Sequence, residues 1–422
     1  MHARPVVALA FLCSVSMLPA SADTTVTFRA APVTPAISVG AALDLYEPSV
    51  SVSSHGDIYV AAHSAGVFTT RAPAWVSHDD GLTWQNLPGF ATLPAEVHGS
   101  GMLDGDEGIV VSDTTGRSWM LDNGAGSMSV TGWCNNGTVQ CHYNPSVWDQ
   151  AGAARHRCGL PVDDRPWLAY GKDKLLLVNN ANGEAQIAVY DANQALPVGA
   201  GGPTWNYCAG SGWIPGPPSV RADGVYAGPQ TQGSGPTYRL SIITGSVDDD
   251  PANATTVTAT PLENHGLSCG GNFGFSSFDG SGTLWAGAAS LDTNAQAPSI
   301  ALASSPDVST FQTSSFDPGG GVSFMWITGN PNGPGALLMY AVGSCSSSSF
   351  YAAHLSVGAN GPVVSDVSLV AADVPNAIGD YISAGVGPDG RAYLVTYAAD
   401  DFLLTTGVRP LTVYVQSGGP TF

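Results

Sequence analysis

The stretch Ser77-His78-Asp79-Asp80-Gly81-Leu82-Thr83-Trp84 indicates the fold class more strongly than any other part of the chain. It follows the pattern Ser-x-Asp-x-Gly-x-Thr-Trp, and each fixed position suits a tight β-hairpin. The serine hydroxyl and the aspartate carboxylate can hydrogen-bond to backbone groups of a turn. Glycine allows a positive φ without steric cost, and tryptophan supplies a large apolar side chain. This octet therefore predicts a turn between two strands.

Short strands of similar composition recur along the whole chain, and helical periodicity is almost absent. Each unit has a polar turn followed by a β-branched or aromatic triplet. The central residues of the triplets are Tyr59, Val110, Leu176, Tyr226, Trp285, Leu338 and Tyr393. The steps between them are 51, 66, 50, 59, 53 and 55 residues, with a mean of about 56. A period of this length without helices is typical of radially repeated four-stranded sheets.

The repeat predicts an all-β protein, a β-propeller of four-stranded blades. We favour seven blades, with six as the alternative, and two stacked sandwiches remain a competing architecture. A closed ring needs its last blade completed by a strand from the other end of the chain, because an open edge would otherwise be exposed. The alternating stretches Thr24–Phe28 and Leu411–Val415 suit that pairing.

The N-terminal residues have the three parts of a secretory signal. Arg4 is basic, Val6–Val15 is apolar, and Ala20-Ser21-Ala22 matches a cleavage site. We expect residues 1–22 to be removed after Ala22, and residues 23–422 to form one secreted propeller domain with a cysteine-containing insertion near 130–160. No later segment is long enough to span a membrane.

The charge of the chain argues against two classes of partner. The net charge is −20, and Lys172 and Lys174 are the only lysines. Nucleic acids and anionic membranes both require clustered positive charge. We expect neither as a partner, and we expect a monomer.

Six cysteines follow the predicted signal, an even number that favours disulfides in an exported protein. A Cys134–Cys141 pair closing a short loop is the first expectation, and Cys158–Cys208 and Cys269–Cys345 would complete the set. A zinc cluster formed by cysteines and histidines in 134–158 is the alternative, although the spacing fits no standard template. The acidic run 248–250 suits a solvated turn or a calcium site. We expect no cofactor and no metal.

The octet resembles the Asp box, or BNR repeat, of sialidase-type β-propellers. Three further stretches resemble secreted bacterial sialidase-like BNR proteins: 164–169, Gly379-Asp380-Tyr381, and Glu47-Pro48-Ser49-Val50 followed by 56–60. The resemblance implies a six-bladed enzyme with three arginines binding the substrate carboxylate, a Tyr nucleophile activated by Glu, and an Asp acid/base. The chain departs from this pattern because it contains no Arg-Ile-Pro; Arg71-Ala72-Pro73 is the nearest string.

Candidate site residues are those predicted at the starts of the innermost strands, which converge at one end of a propeller channel. As an enzyme acting on extracellular glycans, the protein would use acid/base carboxylates and a tyrosine from the set Glu47, Glu96, Asp164, Asp380 and Tyr381. As a non-catalytic carbohydrate- or protein-binding propeller, it would use channel aromatics. Substrate contacts are predicted for Arg165, His98, Trp167, Phe273 and Trp326. Asp164, Asp380 and Arg165 could instead have structural roles in turns and between blades.

Overall fold

The computed structural model describes a seven-bladed β-propeller, which confirms the predicted fold class and the favoured blade number. The described residues are 25–33, 44–65, 74–88, 108–111, 115–124, 127–144, 163–181, 184–192, 205–211, 216–232, 238–262, 274–291, 298–344, 346–375, 382–397 and 411–422. No helix within these ranges is long and apolar enough to cross a membrane. The predicted signal, residues 1–22, lies outside them.

Each blade is a four-stranded antiparallel sheet, and in blades 1 to 6 the strands follow one another in the chain from the axis outward. Blade 1 consists of β2 (Asp44–Val52), β3 (Ile58–Ala65), β4 (Ala74–Ser77) and β5 (Gln85–Asn86). Blade 2 consists of β6 (Gly108–Val111), β7 (Ser118–Gly124), β8 (Ser127–Cys134) and β9 (Val139–Asn144). Blade 3 consists of β10 (Asp163–Gly171), β11 (Lys174–Ala181), β12 (Glu184–Asp191) and β13 (Trp205–Ser211).

The remaining blades follow the same plan. Blades 4 to 7 consist of β14 (Ser219–Val220), β15 (Val225–Gln232), β16 (Tyr238–Ser246) and β17 (Thr255–Leu262); β18 (Gly274–Phe278), β19 (Leu284–Leu291), β20 (Pro298–Ser305) and β21 (Gln312–Phe316); β22 (Val322–Gly329), β23 (Ala336–Ser344), β24 (Ser347–Gly358) and β25 (Gly361–Pro375); and β26 (Ser383–Val386), β27 (Ala392–Tyr397), β28 (Leu411–Gly418) and β1 (Thr27–Pro32). A short 3₁₀ helix, Pro251–Asn253, precedes β17.

The ring closes through β1, the outermost strand of the last blade. It pairs antiparallel with β28, from Thr27 opposite Gly418 to Pro32 opposite Thr412. The predicted pairing of the two chain ends is therefore correct, but the N-terminal strand begins three residues later than expected. This closure gives blade 7 four strands, the same number as in the other blades.

Six of the seven triplets predicted from the sequence lie on the second strand of their blade, the part that is buried between neighbouring sheets, whereas the triplet centred on Val110 lies on β6, the first strand of blade 2. The side chains of Tyr59, Leu176, Tyr226, Trp285, Leu338 and Tyr393 are all almost fully buried. The β-branched and aromatic composition of these strands fits this position, because each strand packs on both faces.

Hydroxyl side chains connect neighbouring inner strands around the axis. The inner edge of each sheet carries backbone groups that no fifth strand pairs. The Oγ of Ser383 accepts a hydrogen bond from Val50 N at 2.6 Å, and the Oγ of Ser277 accepts one from Gly329 N at 2.9 Å. Thr328 Oγ1 donates to Ala384 O at 3.1 Å. The hydroxyl groups of these small side chains thus form hydrogen bonds with inner-strand backbone groups near the axis, where there is no room for another strand.

The octet forms the turn between β4 and β5 of blade 1. Ser77 Oγ accepts from Gly81 N at 2.8 Å, while Asp79 accepts from Thr83 N at 2.8 Å and from Thr83 Oγ1 at 2.6 Å. Gly81 has a φ of 78°, and Trp84 is buried. These contacts lower the pKa of the Asp79 carboxyl, chiefly through the two bonds from Thr83.

A degenerate copy of the octet occupies the same place in blade 5. It spans 305–311, between β20 and β21, and it lacks the glycine and the tryptophan. Asp307 nevertheless accepts from Ser309 N and Thr310 N, both at 2.9 Å, and Val308 takes the positive φ of 63°. The aspartate thus organises the turn in the absence of the glycine.

Candidate functional site

The two ends of the propeller differ in which connections they carry. Because strands alternate in direction, the turns after first strands and after third strands all lie on one face, which we call the turn face. The octet is on this face. The inner strands begin at the opposite end, which we call the mouth. Those sequence-predicted site residues that the structure describes lie on inner strands, with Glu47, Asp164 and Arg165 near the mouth ends of β2 and β10.

The structure describes five of the ten predicted site residues. Glu47 lies on β2, Asp164, Arg165 and Trp167 lie on β10, and Trp326 lies on β22. For the first three of these, only the backbone position is described. The others lie outside the described residues: Glu96, His98, Phe273, Asp380 and Tyr381. Their roles stay predictions.

Trp167 and Trp326 are the two predicted residues that the structure brings into contact. Their rings lie 6.1 Å apart, edge to face. They come from blades 3 and 6, on opposite sides of a seven-membered ring, so their contact fills the axis at this level. Trp167 is 2% exposed and Trp326 is 7% exposed.

Two further aromatic residues that the sequence reasoning missed extend this contact. Phe275 on β18 lies 4.6 Å from the Trp326 ring, and Phe324 lies 6.5 Å from it, nearly parallel. We call these four side chains the axial cluster. The alternation of Phe324 and Trp326 along one inner strand is the feature of the sequence that could have indicated this cluster. Aromatic contacts of this kind stabilise a core beyond their buried area.

Three inner strands contain a β-bulge at the same register position on the mouth side of the axial cluster. On β2 the register shifts between Tyr46 and Ser49, and on β10 it shifts between Asp164 and Trp167. The third shift lies between Val322 and Phe324 on β22. Bulges re-aim side chains and are frequent next to sites.

The bulges of blades 1 and 3 contain the dipeptides Glu47-Pro48 and Arg165-Pro166. Proline lacks the N–H that a central strand needs, but an inner strand is a sheet edge and tolerates it. Glu47 and Arg165 therefore occupy equivalent backbone positions, two blades apart. The equivalent residue of blade 6 is Ser323, whose Oγ lies 2.7 Å from Ser348 Oγ.

Tyrosines of the second strands are unsuited to nucleophilic chemistry. Burial raises the pKa of Tyr393 to about 12, and it also raises the pKa values of Tyr59 and Tyr226. A tyrosine nucleophile needs the opposite shift, toward the phenolate. Within the described ranges, no three His, Cys, Asp or Glu residues are grouped so that they could hold a metal ion.

Basic residues of the turn face connect neighbouring blades. Arg117 Nη1 donates to Ala192 O at 2.9 Å, which joins blade 2 to blade 3. Lys172 pairs with Asp248 of blade 4. Arg391 of blade 7 pairs with Asp80 of blade 1, with Nη2 to Oδ1 at 2.7 Å. These cations are engaged far from the mouth.

The disulfide predicted between Cys134 and Cys141 is present, joining β8 to β9 at the turn-face end of blade 2. Cys208 lies on β13, with only its backbone described. The other predicted partners, Cys158, Cys269 and Cys345, lie outside the described residues, as do residues 145–160 of the predicted insertion. Residues 130–144 belong to β8, β9 and the turn between them.

Comparison with known proteins supports the fold and leaves the activity open. Neither a protein-family model nor a curated protein matches the chain. Among solved structures, the WD40 domain of Toxoplasma gondii coronin is 10% identical, with a TM-score of 0.50, over 94% of this chain and 87% of that one.

Two glycan-directed enzymes also match at low identity. The phage phi92 endosialidase is 11% identical, with a TM-score of 0.47, over 94% of this chain and 70% of that one. The Penicillium chrysogenum alpha-L-arabinanase complexed with arabinobiose is 12% identical, with a TM-score of 0.44, over 92% and 98%. At such identities the likeness is one of fold, shared with sialidases and other propeller glycosidases.

Proposed function

We propose that this protein is a secreted, monomeric, sialidase-like propeller that binds extracellular glycans at its mouth. The observation that supports binding over catalysis is the contact of Trp167 with Trp326 across the axis. A hydrolytic site needs an open pocket in which two carboxyl groups lie about 5–10 Å apart. The axial cluster fills the axis at this level, so the proposed binding surface lies on its mouth side.

The bulged inner strands support the location of this surface. Glu47 and Arg165 occupy equivalent bulges on blades 1 and 3, at the same end of the ring. A carboxylate accepts hydrogen bonds from sugar hydroxyls, and a guanidinium donates to them in a fixed fork. Polar residues of opposite charge around an apolar floor are typical of small-ligand sites.

The distribution of cations among the described residues favours a neutral or weakly charged glycan over a sialoside. A sialoside carboxylate requires several arginines. Arg29, Arg117, Arg221 and Arg391 all bond to turn-face groups of neighbouring blades. Among the described inner strands, Arg165 is the one basic residue. A three-arginine site would need two more guanidinium groups.

Glycoside hydrolysis is the second candidate. The placement of Glu47 and Asp164 at the starts of two inner strands favours it, because an acid and a base from different blades could meet at the mouth. Tyr381 and Asp380 would join them as proposed nucleophile and acid/base.

One experiment separates the two candidates. The secreted protein is tested for binding to neutral and sialylated oligosaccharides, by glycan array and calorimetry, and for hydrolysis of the matching aryl glycosides. Glu47→Gln and Arg165→Gln should weaken binding roughly 10- to 100-fold, the value of one charge-assisted hydrogen bond. The exposed controls Asp366→Asn on β25 and Arg239→Gln on β16, neither of them on an inner strand, should not change it.

Each outcome has a distinct meaning. Binding without hydrolysis supports the proposal. Hydrolysis that Asp164→Asn or Asp380→Asn abolishes replaces it with the enzyme. Equal binding by all variants, or no binding to any glycan, refutes a glycan site at the mouth. N-terminal sequencing of exported protein should begin at Asp23, and light scattering should give a monomer mass.

A further inference from the structure

The outer hairpin of blade 6, formed by β24 and β25, carries most of the exposed large apolar side chains found in the described part of the chain. There are six such side chains, and the other two, Leu82 and Val139, belong to blades 1 and 2. The four on the hairpin are Val357, Val363, Val367 and Leu369, which are 46% to 57% exposed. Single exposed apolar side chains are normal, whereas a group of them on one element indicates an interaction surface.

Three of these four side chains lie on one face of the blade-6 sheet. Leu369 is the cross-strand partner of Tyr351, and cross-strand partners point to the same face. Val357 lies six residues after Tyr351 on β24, and Val367 lies two residues before Leu369 on β25, so alternation places both on that face. We call Val357, Val367 and Leu369 the blade-6 patch.

The blade-6 patch faces the outer strand of blade 5. Tyr351 stacks on Tyr340, and the Phe316 ring at the end of β21 lies edge-on to Tyr340, with centroids 5.4 Å apart in both pairs. Ser314 Oγ of β21 donates to Pro362 O of β25 at 2.6 Å. Since β21 has 5 residues and β25 has 15, most of this face of β25 has no strand of blade 5 opposite it.

The shape of β25 disfavours the addition of another strand to its outer edge. Its pairing with β24 shifts register three times, and each shift adds a residue on β25. Asp366 and Asp373, within two of these bulges, are exposed and have φ values of 53° and 48°. Bulges and charged side chains prevent edge strands from pairing with other chains. A partner of this hairpin would therefore contact its side chains.

The charge around the blade-6 patch favours a basic partner. No lysine or arginine lies between Arg239 and Arg391, whereas that stretch contains 12 of the 33 acidic residues of the chain. It includes all of blades 5 and 6. Asp366 on β25 and Asp317 in the connection from β21 to β22 are exposed. Two copies of the chain that met through this patch would place carboxylates against carboxylates, so the complementary partner is a different protein.

We propose that the blade-6 patch docks a basic amphipathic helix of another protein. Val357 lies opposite Pro362, so the patch extends about 20 Å along β25 to Leu369, the length of a helix of about 13 residues. The apolar stripe of the helix would remove the patch from water, and flanking lysines or arginines would pair with Asp366 and Asp317. This surface is separate from the proposed glycan site, because it lies on the outermost strand of its blade and not at the axis.

The test uses three fluorescein-labelled peptides of about 14 residues, titrated with the full chain at low salt and followed by anisotropy. One is a helical peptide with a leucine stripe flanked by lysines. The second has the same composition in scrambled order, and the third has glutamate in place of each lysine. The lysine peptide should bind roughly tenfold more tightly than the scrambled one, because only an ordered stripe can cover the patch. The glutamate peptide should not bind.

Substitutions at exposed positions locate the contact without threatening the fold. Leu369→Ser and Val367→Ser should each weaken the lysine peptide about three- to fivefold, since each side chain is already about half buried. Asp366→Asn should weaken it about two- to fivefold at low salt and less at high salt. Val139→Ser is the matched control on blade 2, at a side chain 48% exposed, and should change binding less than twofold. Glu47→Gln at the mouth should leave it unchanged.

Photo-crosslinking of the unmodified protein gives an independent measurement. A lysine peptide with a benzophenone group in its apolar stripe should attach within residues 351–369, and mass spectrometry of the digested product identifies the attachment sites. Equal binding of the ordered and scrambled peptides would mean that charge alone is recognised, and would overturn the proposal. Binding of the glutamate peptide, unchanged affinity in Leu369→Ser, crosslinks confined to other blades, or no binding of the lysine peptide would overturn it as well.

Discussion

The contact between Arg391 and Asp80 joins the last blade to the first, and its removal should loosen the closure of the ring. Nη1 and Nη2 of Arg391 reach Oδ2 and Oδ1 of Asp80 at 3.1 and 2.7 Å. Nε of Arg391 also bonds to Asp389. Arg29 of the closing strand β1 donates to Asp80 O at 2.6 Å. The octet of blade 1 is thus held by two arginines of blade 7.

The free energy involved is modest because the pair is partly exposed. The Arg391 side chain is 28% exposed and the Asp80 side chain 45% exposed. Exposed ion pairs contribute about 0–1 kcal/mol, and bidentate geometry places this one near the top of that range. We therefore expect Arg391→Gln to cost about 1 kcal/mol. Such a change would lower the melting temperature of a chain of this size by only about 1 °C.

Hydrogen exchange is the more sensitive assay. If amides of β1 and β28 exchange through opening of the ring closure, a loss of about 1 kcal/mol raises their exchange rates about fivefold. Arg221→Gln is the matched control, since Arg221 bonds mainly to Asp223 of its own turn, at 2.8 and 3.0 Å. That variant should leave β1 and β28 unchanged. Equal effects of the two substitutions on β1 would refute the assigned role of Arg391, as would protection that changes uniformly in all seven blades.

Three other changes test the turn, the disulfide and the axial cluster. Hydrogen bonds lower the pKa of Asp79 from its usual 3.8. The ionised carboxylate therefore stabilises the folded state fully above that pH, and this contribution is lost as the pH falls through the folded-state pKa. The destabilisation caused by Asp79→Asn, measured in urea, should therefore shrink below pH 4; a constant difference would contradict this. Replacing Cys134 and Cys141 with serine should cost about 2 kcal/mol, because the loop that they close is short. Trp326→Ala should cost about 3–5 kcal/mol, whereas Leu82→Ala, at a side chain 69% exposed, should change stability by less than about 0.5 kcal/mol in the same unfolding assay.

The fold could be predicted from the sequence because its signals are local and repeated. The octet specifies a turn through contacts between residues four positions apart, Ser77 with Gly81 and Asp79 with Thr83. The triplets recur at nearly constant spacing, so seven units can be counted. The sequence predicts the N-terminal closing strand correctly, but β1 begins at Thr27 and not at Thr24. Alternation alone does not fix which residues of a strand are paired.

The site could be predicted only in part, because its geometry depends on register and on distant contacts. Both Glu47-Pro48 and Arg165-Pro166 are visible in the sequence, yet their equivalence requires the strand pairings that reveal the bulges. Arg391 and Asp80 are separated by 311 residues. The stacking of His354 on Phe422 likewise joins two blades, and no local pattern indicates it.

The position of each basic residue within its repeat determines what its loss should affect. Arg117, Lys172, Arg221 and Arg391 all lie in or next to the turn after an inner strand, and each bonds to the next blade. A small side chain in that turn could not bridge two sheets, so these positions stabilise the ring. Arg165 lies at the other end of an inner strand, and no other cation lies on the described inner strands. Substitutions at the turn positions should therefore lower stability without changing ligand binding, whereas Arg165→Gln should do the reverse. Data in which the two properties always change together would mean that the mouth and the turn face are not independent.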